Sequence, residues 1–276
     1  MFEVIFLWSL AFVWILFATI QDLRKREIAN WLNFSLVIFA IAFRFFYSFL
    51  EAGDFNFFYQ GLIGFGIFFI LGNLFYYGKI FAGGDSKLMY ALGAILPIYG
   101  SILLNLKFFL YFIILFLIVG AIYGIVVSIV IGIINRKKVA KEFKKQLKKN
   151  RILFYSLLGF SIILLCLGFL YDYFFYFGIL IFVLAYLVIY AKSIDEGCMV
   201  RKMKPSQLTE GDWLYEDFKI GNQIIKANWN GLEEKDIDLI RKNKKDVLIR
   251  YGIQFGPVFL MSFILMIVLK LCGVLF

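Results

Sequence analysis

Long apolar runs broken by short polar turns dominate this chain, and within a run the apolar positions do not alternate with polar ones. A transmembrane helix needs about 20 mostly apolar residues. Eight runs qualify: 2–20, 31–50, 57–78, 86–104, 107–134, 151–170, 172–191 and 253–275. The fifth is long enough to tilt or break, and the fourth and fifth are joined so tightly that one re-entrant unit is an alternative for the pair. Continuous runs exclude a transmembrane barrel, whose strands alternate. The pattern predicts an all-α polytopic membrane protein, a bundle of about six to eight spans. The first run lacks a basic N-terminal region and a small-residue cleavage site, so it reads as a retained helix.

Two polar interruptions are long. In 135–151, Val139, Phe143 and Leu147 recur at i, i+4 and i+8 among lysines, an apolar stripe on a cationic helix suited to the inner leaflet. In 192–252, turn signals (Glu210-Gly211-Asp212, Asn230-Gly231) alternate with short apolar runs such as Gly221-Asn222-Gln223-Ile224-Ile225, and Glu233 to Lys245 reads as a charged helix. That stretch predicts a small α+β module. The organisation is then a membrane core at 1–134, a basic amphipathic segment at 135–150, a transmembrane helical pair at 151–191, a cytoplasmic module at 192–252 and a last transmembrane helix at 253–276.

Composition sharpens this picture. The chain is 62% hydrophobic, where a soluble domain is nearer half. The net charge is +10, and 26 of the 29 Lys and Arg residues fall in 22–30, 79–87, 135–151 and 192–252. Alternating spans put all four segments on one side. The opposite turns hold Glu51, Asp54 and Asp172, with Lys107 as their one cation. The positive-inside rule then places the N-terminus outside and the basic segments in the cytoplasm, in a plasma membrane. Basic charge so distributed implies attraction to anionic membrane lipids and not to nucleic acid.

Histidine is absent, and the three cysteines, Cys166, Cys198 and Cys272, form no CxxC pair. That excludes His-dependent triads and HExxH sites and leaves no zinc framework, so no metal or cofactor is expected.

Two carboxylates remain as candidate chemistry. Asp22 follows the first run in Gln21-Asp22-Leu23-Arg24-Lys25-Arg26, and Asp85 closes Ala82-Gly83-Gly84-Asp85 before Ser86-Lys87-Leu88. Each has a plain structural reading: Asp22 as a helix end, Asp85 as a cap on backbone N–H groups. Two intervening spans, however, return both to one membrane face, and carboxyls near hydrocarbon are costly. Converging, they can share one proton and activate water. Gly83 and Gly84 remove side chains where the backbone must turn or be approached closely. Which Asp is acid and which is base stays open.

These residues resemble a family. Asp22-Leu23-Arg24 with Ile28 and Asn30, then Gly83-Gly84-Asp85 with Lys87, are similar to the two signature regions of the prepilin and preflagellin peptidases, membrane aspartyl proteases of GxGD type. The resemblance covers about 1–130 and implies that Asp22 and Asp85 are catalytic, with Ala82, Gly83 and Gly84 forming the active-site turn. A weaker resemblance to the archaeal branch runs through Glu210-Gly211-Asp212-Trp213-Leu214, Gly231-Leu232, Arg250-Tyr251-Gly252-Ile253 and Pro257. Two departures stand out: Ala82 replaces the first glycine of GxGD, and Ala29 replaces a proline often found before Asn30. Bacterial members carry a cysteine-rich zinc module between helices one and two and also methylate; the connection here is short and free of cysteine, which implies a peptidase without methyltransferase activity. The implied substrates are pilin-like or archaellin precursors with a short basic leader.

Supporting roles are expected for Lys87, facing headgroups or the substrate carbonyl, for Arg26, and for Asn30 and Asn33, ordering the loop near Asp22. Glu27 and the acids of 192–252 are available to the leader's charge, with solvated surface as their plain reading. Arg44 is expected to snorkel to the outer interface. A presenilin-like reading lacks its Pro-Ala-Leu motif, because the prolines are Pro97, Pro205 and Pro257. The alternative from another class is a transporter or assembly subunit using Asp22 and Asp85 in a proton relay. Oligomeric state is not encoded legibly.

Overall fold

The protein is described by a computed structural model over residues 2–220, 223–229, 231–243 and 245–274. Gly221, Asn222, Asn230, Lys244 and Leu275, which belong to expected turns, runs or helices, lie outside the described residues. Contacts divide the chain into two units, 1–124 with 254–276, and 125–253.

In the first unit, helix α1 (Phe2–Lys25) is apolar all round, as a helix facing lipid must be. It buries Leu7, Ala11, Ile15, Ala18 and Asp22. Those positions fall three or four residues apart, so the helical period itself turns Asp22 inward. α2 (Asn30–Tyr47) buries Asn33, Leu36, Ala40 and Arg44 by the same spacing and continues as a π-turn, Ser48–Ala52. α3 (Asn56–Tyr77) carries a buried glycine row, Gly61, Gly64 and Gly72. That row lets the backbone of α4 (Gly83–Ile95) come close: a Cβ on Gly64 would sit 2.3 Å from the Gly93 carbonyl oxygen. Small residues that admit a neighbouring backbone are the usual device for packing helices in lipid.

The expected span 86–104 is helical only in part, yet it still runs from one end of α2 to the other: Asn33, near the start of α2, bonds the Gly84 carbonyl, and Arg44, near its end, bonds the carbonyls of Ala94, Ile95 and Pro97. α4 has 13 residues, about 20 Å of helix against about 30 Å of hydrocarbon. It stops before Pro97, which disfavours helix at the residue preceding it. The Asn105 amide then fastens the turn that follows, accepting from the Ile98 and Tyr99 N–H groups and donating to the Tyr99 carbonyl. Since α4 is buried on nearly every side, its apolar character reflects protein packing rather than lipid. α5 (Ile102–Ile134) is the longest helix. The last helix of the chain, α10 (Gly256–Leu271), is 16 residues long and packs on α1.

The second unit contains the end of α5, then α6 (Arg136–Lys149), α7 (Arg151–Leu167) and α8 (Asp172–Ile194). α6 and α7 meet at a bend of 82°. The apolar stripe of α6 does not stand free for a leaflet: Val139 is buried, and Phe143 and Leu147 pack against Phe154, Ala185 and Ile189 of α7 and α8. A protein surface covers what hydropathy alone assigns to lipid. Beyond α8 come β1 (Val200–Met203), β2 (Trp213–Leu214), the hairpin β3 (Phe218–Ile220) and β4 (Gln223–Ile225), α9 (Glu234–Asn243) and β5 (Val247–Arg250). β5 lies between β1 and β2, antiparallel to both. The core of this α+β module is Leu208, Leu214, Ile225, Leu232, Ile237, Ile240, Val247 and Ile249.

Among the described residues, five helical stretches are long and apolar enough on their own to cross a membrane: Phe2–Lys25, Asn30–Glu51, Asn56–Tyr77, Ile102–Ile134 and Asp172–Met199. The bent α6–α7 pair makes a sixth if it counts as one span. The chain is a polytopic α-helical membrane protein with a small mixed module.

Candidate active site

Asp22 sits in the last turn of α1 and is 6% exposed. Its Oδ2 accepts the Gly256 N–H at 2.7 Å, so the carboxyl closes the N-terminus of α10, where unpaired amides and the helix dipole favour an acceptor. Gly256 is glycine because nothing larger fits: a Cβ would lie 2.9 Å from Asp22 Oδ2 and 3.0 Å from Thr19 Cα. The Thr19 hydroxyl, shared with the Ile15 carbonyl, reaches the Gly256 carbonyl at 3.0 Å and pins the same junction. Pro257 follows in the first turn of α10, where its missing N–H costs nothing.

Asp85 is the third residue of α4 and is half-buried. Its Oδ2 accepts the Ala82 N–H at 3.3 Å. The capping reading is therefore part of the answer, because the side chain does bond back to the residue before the helix. Ala82 has no polar side chain to return the favour; it is exposed and extended, which shows why a methyl is tolerated there. Protein packed around Asp85, with the Asp22 carboxylate as a second cause, pushes its pKa up to about 7. Asp85 Oδ2 faces a donor that can only donate, which leaves its Oδ1 as the oxygen able to carry a proton.

The two glycines of the turn differ. A Cβ on Gly84 would stand 3.2 Å from Ile28 Cβ and 3.4 Å from the Ile28 N, whereas one on Gly83 would meet only a Tyr76 ring carbon at 4.0 Å. Close approach, expected for both, applies to Gly84. The Asn33 amide donates to the Gly84 carbonyl at 3.2 Å, so Asn33 fastens α2 to the Asp85 turn rather than ordering the loop after Asp22. Lys87 Nζ donates to Asn30 Oδ1 at 2.5 Å and ties the start of α4 to the start of α2. Arg26 ends α1 in the left-handed region, with its N–H on the Asp22 carbonyl at 2.7 Å. Glu27 is exposed.

Arg44 corrects the snorkelling expectation. It is fully buried, and its guanidinium donates to the carbonyls of Ala94 (2.7 Å), Phe57 (2.9 Å), Ile95 (3.0 Å) and Pro97 (2.5 Å). A planar five-donor fork suits several carbonyls at once, and three of these four belong to the C-terminal end of α4 or the turn just after it. The helix that carries Asp85 in its first turn thus has a cation at its other end.

Sequence reasoning missed Gly256, Thr19 and Gln21. The Gln21 carbonyl oxygen accepts the Ala29 N–H at 3.2 Å and orders the α1–α2 loop; a proline at position 29 has no N–H for this bond. Among the described residues, no three His, Cys, Asp or Glu side chains are grouped to hold a metal ion.

Residues 9–129 match the type IV leader peptidase family. A preflagellin peptidase of Methanococcus maripaludis is 36% identical over 101 residues, 34% of this chain and 43% of that protein. One of Methanocaldococcus jannaschii is 36% identical over 85 residues, 31% and 36% of the two chains. One of Methanococcus voltae is 30% identical over 92 residues, 33% and 39%. The alignments thus span less than half the length of each relative. No solved structure matches the chain.

Proposed function

We propose that this chain, whose residues 9–129 match the type IV leader peptidase family, is a membrane aspartic endopeptidase removing the short basic leader from type IV pilin-like or archaellin precursors. What supports the reading is placement: each carboxyl keeps one oxygen on a backbone amide at the start of a helix, and the Asp22 charge, after burial, helps to raise the Asp85 pKa. Two carboxyls in that relation hold one proton between them as the pH falls below about 7.

In the proposed reaction the proton starts on Asp85. Ionised Asp22 takes a proton from a water molecule as its oxygen attacks the scissile carbonyl carbon, and Asp85 gives its proton to the carbonyl oxygen, forming a gem-diol. Asp22 then passes its proton to the leaving nitrogen as the C–N bond breaks, and Asp85 recovers a proton from the diol. Both groups return to their starting state, and neither metal nor histidine is needed. Lys87 and Asn30 hold the start of α4 on α2, and Gly84 keeps the turn tight against Ile28. The family's bacterial zinc module has no counterpart in the short α1–α2 loop, so leader removal without methylation is the proposed activity.

Orientation follows from charge. The basic segments face the cytoplasm, as the positive-inside rule requires, so that a basic leader meets the site on that side while its apolar helix stays in the bilayer. Anionic lipids are the expected partners of the basic segments.

The test is incubation of membranes containing the protein with a panel of pilin-like and archaellin precursors, reading new N-termini by mass spectrometry. Wild-type protein should expose one defined N-terminus on a precursor, and Asp22→Asn and Asp85→Asn should each abolish it at normal abundance, because an amide can neither hold nor exchange the proton. Normal processing by either variant would remove the dyad. Proton-coupled transport without cleavage would favour the relay alternative.

A further inference from the structure

α5 is apolar to Ile134, and the chain turns cationic at Arg136. At that junction the second unit holds an open groove of about 850 Å³, lined by Ile129, Gly132 and Ile133 of α5, Val139, Ala140 and Phe143 of α6, and Tyr190 of α8, with Arg136 and Lys144 at its edge. This is a volume proper to a ligand site. Its walls are apolar apart from Tyr190, whose hydroxyl proton is committed to the Ser128 carbonyl at 2.9 Å.

The two cations are the telling feature. Both are exposed, and neither has an ion-pair or hydrogen-bond partner among the described residues. They are eight residues apart on α6, about 12 Å along one face of the helix, a distance two long flexible side chains can close around one headgroup. A soluble anion has no use for the hydrocarbon wall, and a neutral apolar molecule has none for the cations. An amphiphile with a negative head uses both. The depth agrees, since a helix passes from hydrocarbon to headgroups where its sequence passes from Ile to Arg.

The geometry points to a discrete binding site for one anionic glycerophospholipid in the groove between α5, α6 and α8, its phosphate bracketed by Arg136 and Lys144 and an acyl chain against Ile129, Ile133, Ala140 and Phe143. This goes beyond a general attraction of basic segments to the leaflet. It does not depend on the peptidase reading, because binding is measured without any substrate.

The experiment uses the purified, delipidated full chain, offered equal amounts of phosphatidylglycerol and phosphatidylcholine, with retained lipid counted by native mass spectrometry. One phosphatidylglycerol per chain should survive in preference to phosphatidylcholine. A cation near an anionic headgroup is worth about 5-fold in affinity, so Arg136→Gln with Lys144→Gln should lower retention by about 25-fold. Lys137→Gln with Lys148→Gln removes the same charge from α6 outside the groove and should leave retention near wild type. Ala140→Trp, at an exposed position, fills the groove while keeping every charge and should expel the lipid. Glycerol phosphate should fail to displace it. Equal losses from the two charge pairs would reduce the site to diffuse attraction and overturn the proposal. So would retention of the lipid by Ala140→Trp, displacement by glycerol phosphate, or indifference between the two phospholipids. Circular dichroism on each variant shows that the helices remain.

Discussion

Three glycines give a graded test of how tightly the proposed site is built. The perturbation is the same at each position, one methyl group, and the structure sets the cost. At Gly256 the new carbon would lie 3.0 Å from Thr19 Cα and 2.9 Å from Asp22 Oδ2. Carbon atoms rest comfortably at about 3.5–4.0 Å, so α1 and α10 must part by roughly 0.5–1 Å. Thr19 Cα is backbone and cannot rotate away, and the 2.7 Å bond from the Gly256 N–H to Asp22 stretches by a similar amount. Overpacking of this kind costs about 1–3 kcal/mol in stability, while displacing a reacting group by about 1 Å costs about 100-fold in rate. Gly256→Ala should therefore lower cleavage by about 10–100-fold with most of the protein still folded. At Gly84 the nearest atom is Ile28 Cβ at 3.2 Å, a milder conflict, and a loss of a few-fold is expected. Gly83 has 4.0 Å of clearance, and Ala is the better helix former by about 1 kcal/mol, so Gly83→Ala should cleave as wild type does. The assay is initial cleavage rate on a purified precursor, divided by the monodisperse folded fraction. Wild-type activity in Gly256→Ala, or Gly83→Ala impaired as severely as Gly256→Ala, would refute the reasoning.

Cleavage should decline as pH rises through about 7, because a carboxyl whose pKa is raised holds its proton below that value and loses it above. A pH–rate profile that stays flat into the alkaline range would contradict the assignment of Asp85 as acid. Arg44→Met removes a buried cation but strands four carbonyls at about 1–3 kcal/mol each, so a net loss of about 2–4 kcal/mol is expected, seen as a lower thermal midpoint in detergent; an unchanged midpoint would show the fork to be dispensable. Cys198, half-buried at the end of the α8 stretch, should escape a membrane-impermeant thiol reagent in intact cells and react once the membrane is opened, and equal labelling in both states would reverse the orientation.

What the sequence disclosed depended on how far apart the interacting residues are. α1, α3 and α5 were legible because some 20 or more apolar residues in a row have one physical explanation. The span 86–104 reads as one full-length apolar helix because burial in protein and burial in lipid select the same residues over the 13 positions of α4, and the Gly61–Gly72 row on α3 is what separates the two. Asp22 and Asp85 stood out as carboxyls at span ends. Their partners did not: the Gly256 donor is 234 positions from Asp22, and Arg44 finds the Ala94 carbonyl 50 positions away. Local hydropathy weighs a charge against its immediate neighbours, so an arginine amid phenylalanines reads as snorkelling even when four carbonyls wait for it elsewhere in the fold.

The bond between Asp22 and Gly256 also has a bearing on time. A ribosome adding about 5–20 residues per second makes the Gly256 amide roughly 10–50 s after the Asp22 carboxyl. For most of that interval, once Asp85 has been made, the nascent chain carries both aspartates and lacks the amide that orients one of them. If the geometry described here is what catalysis needs, a half-made chain is inert toward neighbouring membrane proteins, and proteolysis begins only when α10 docks on α1.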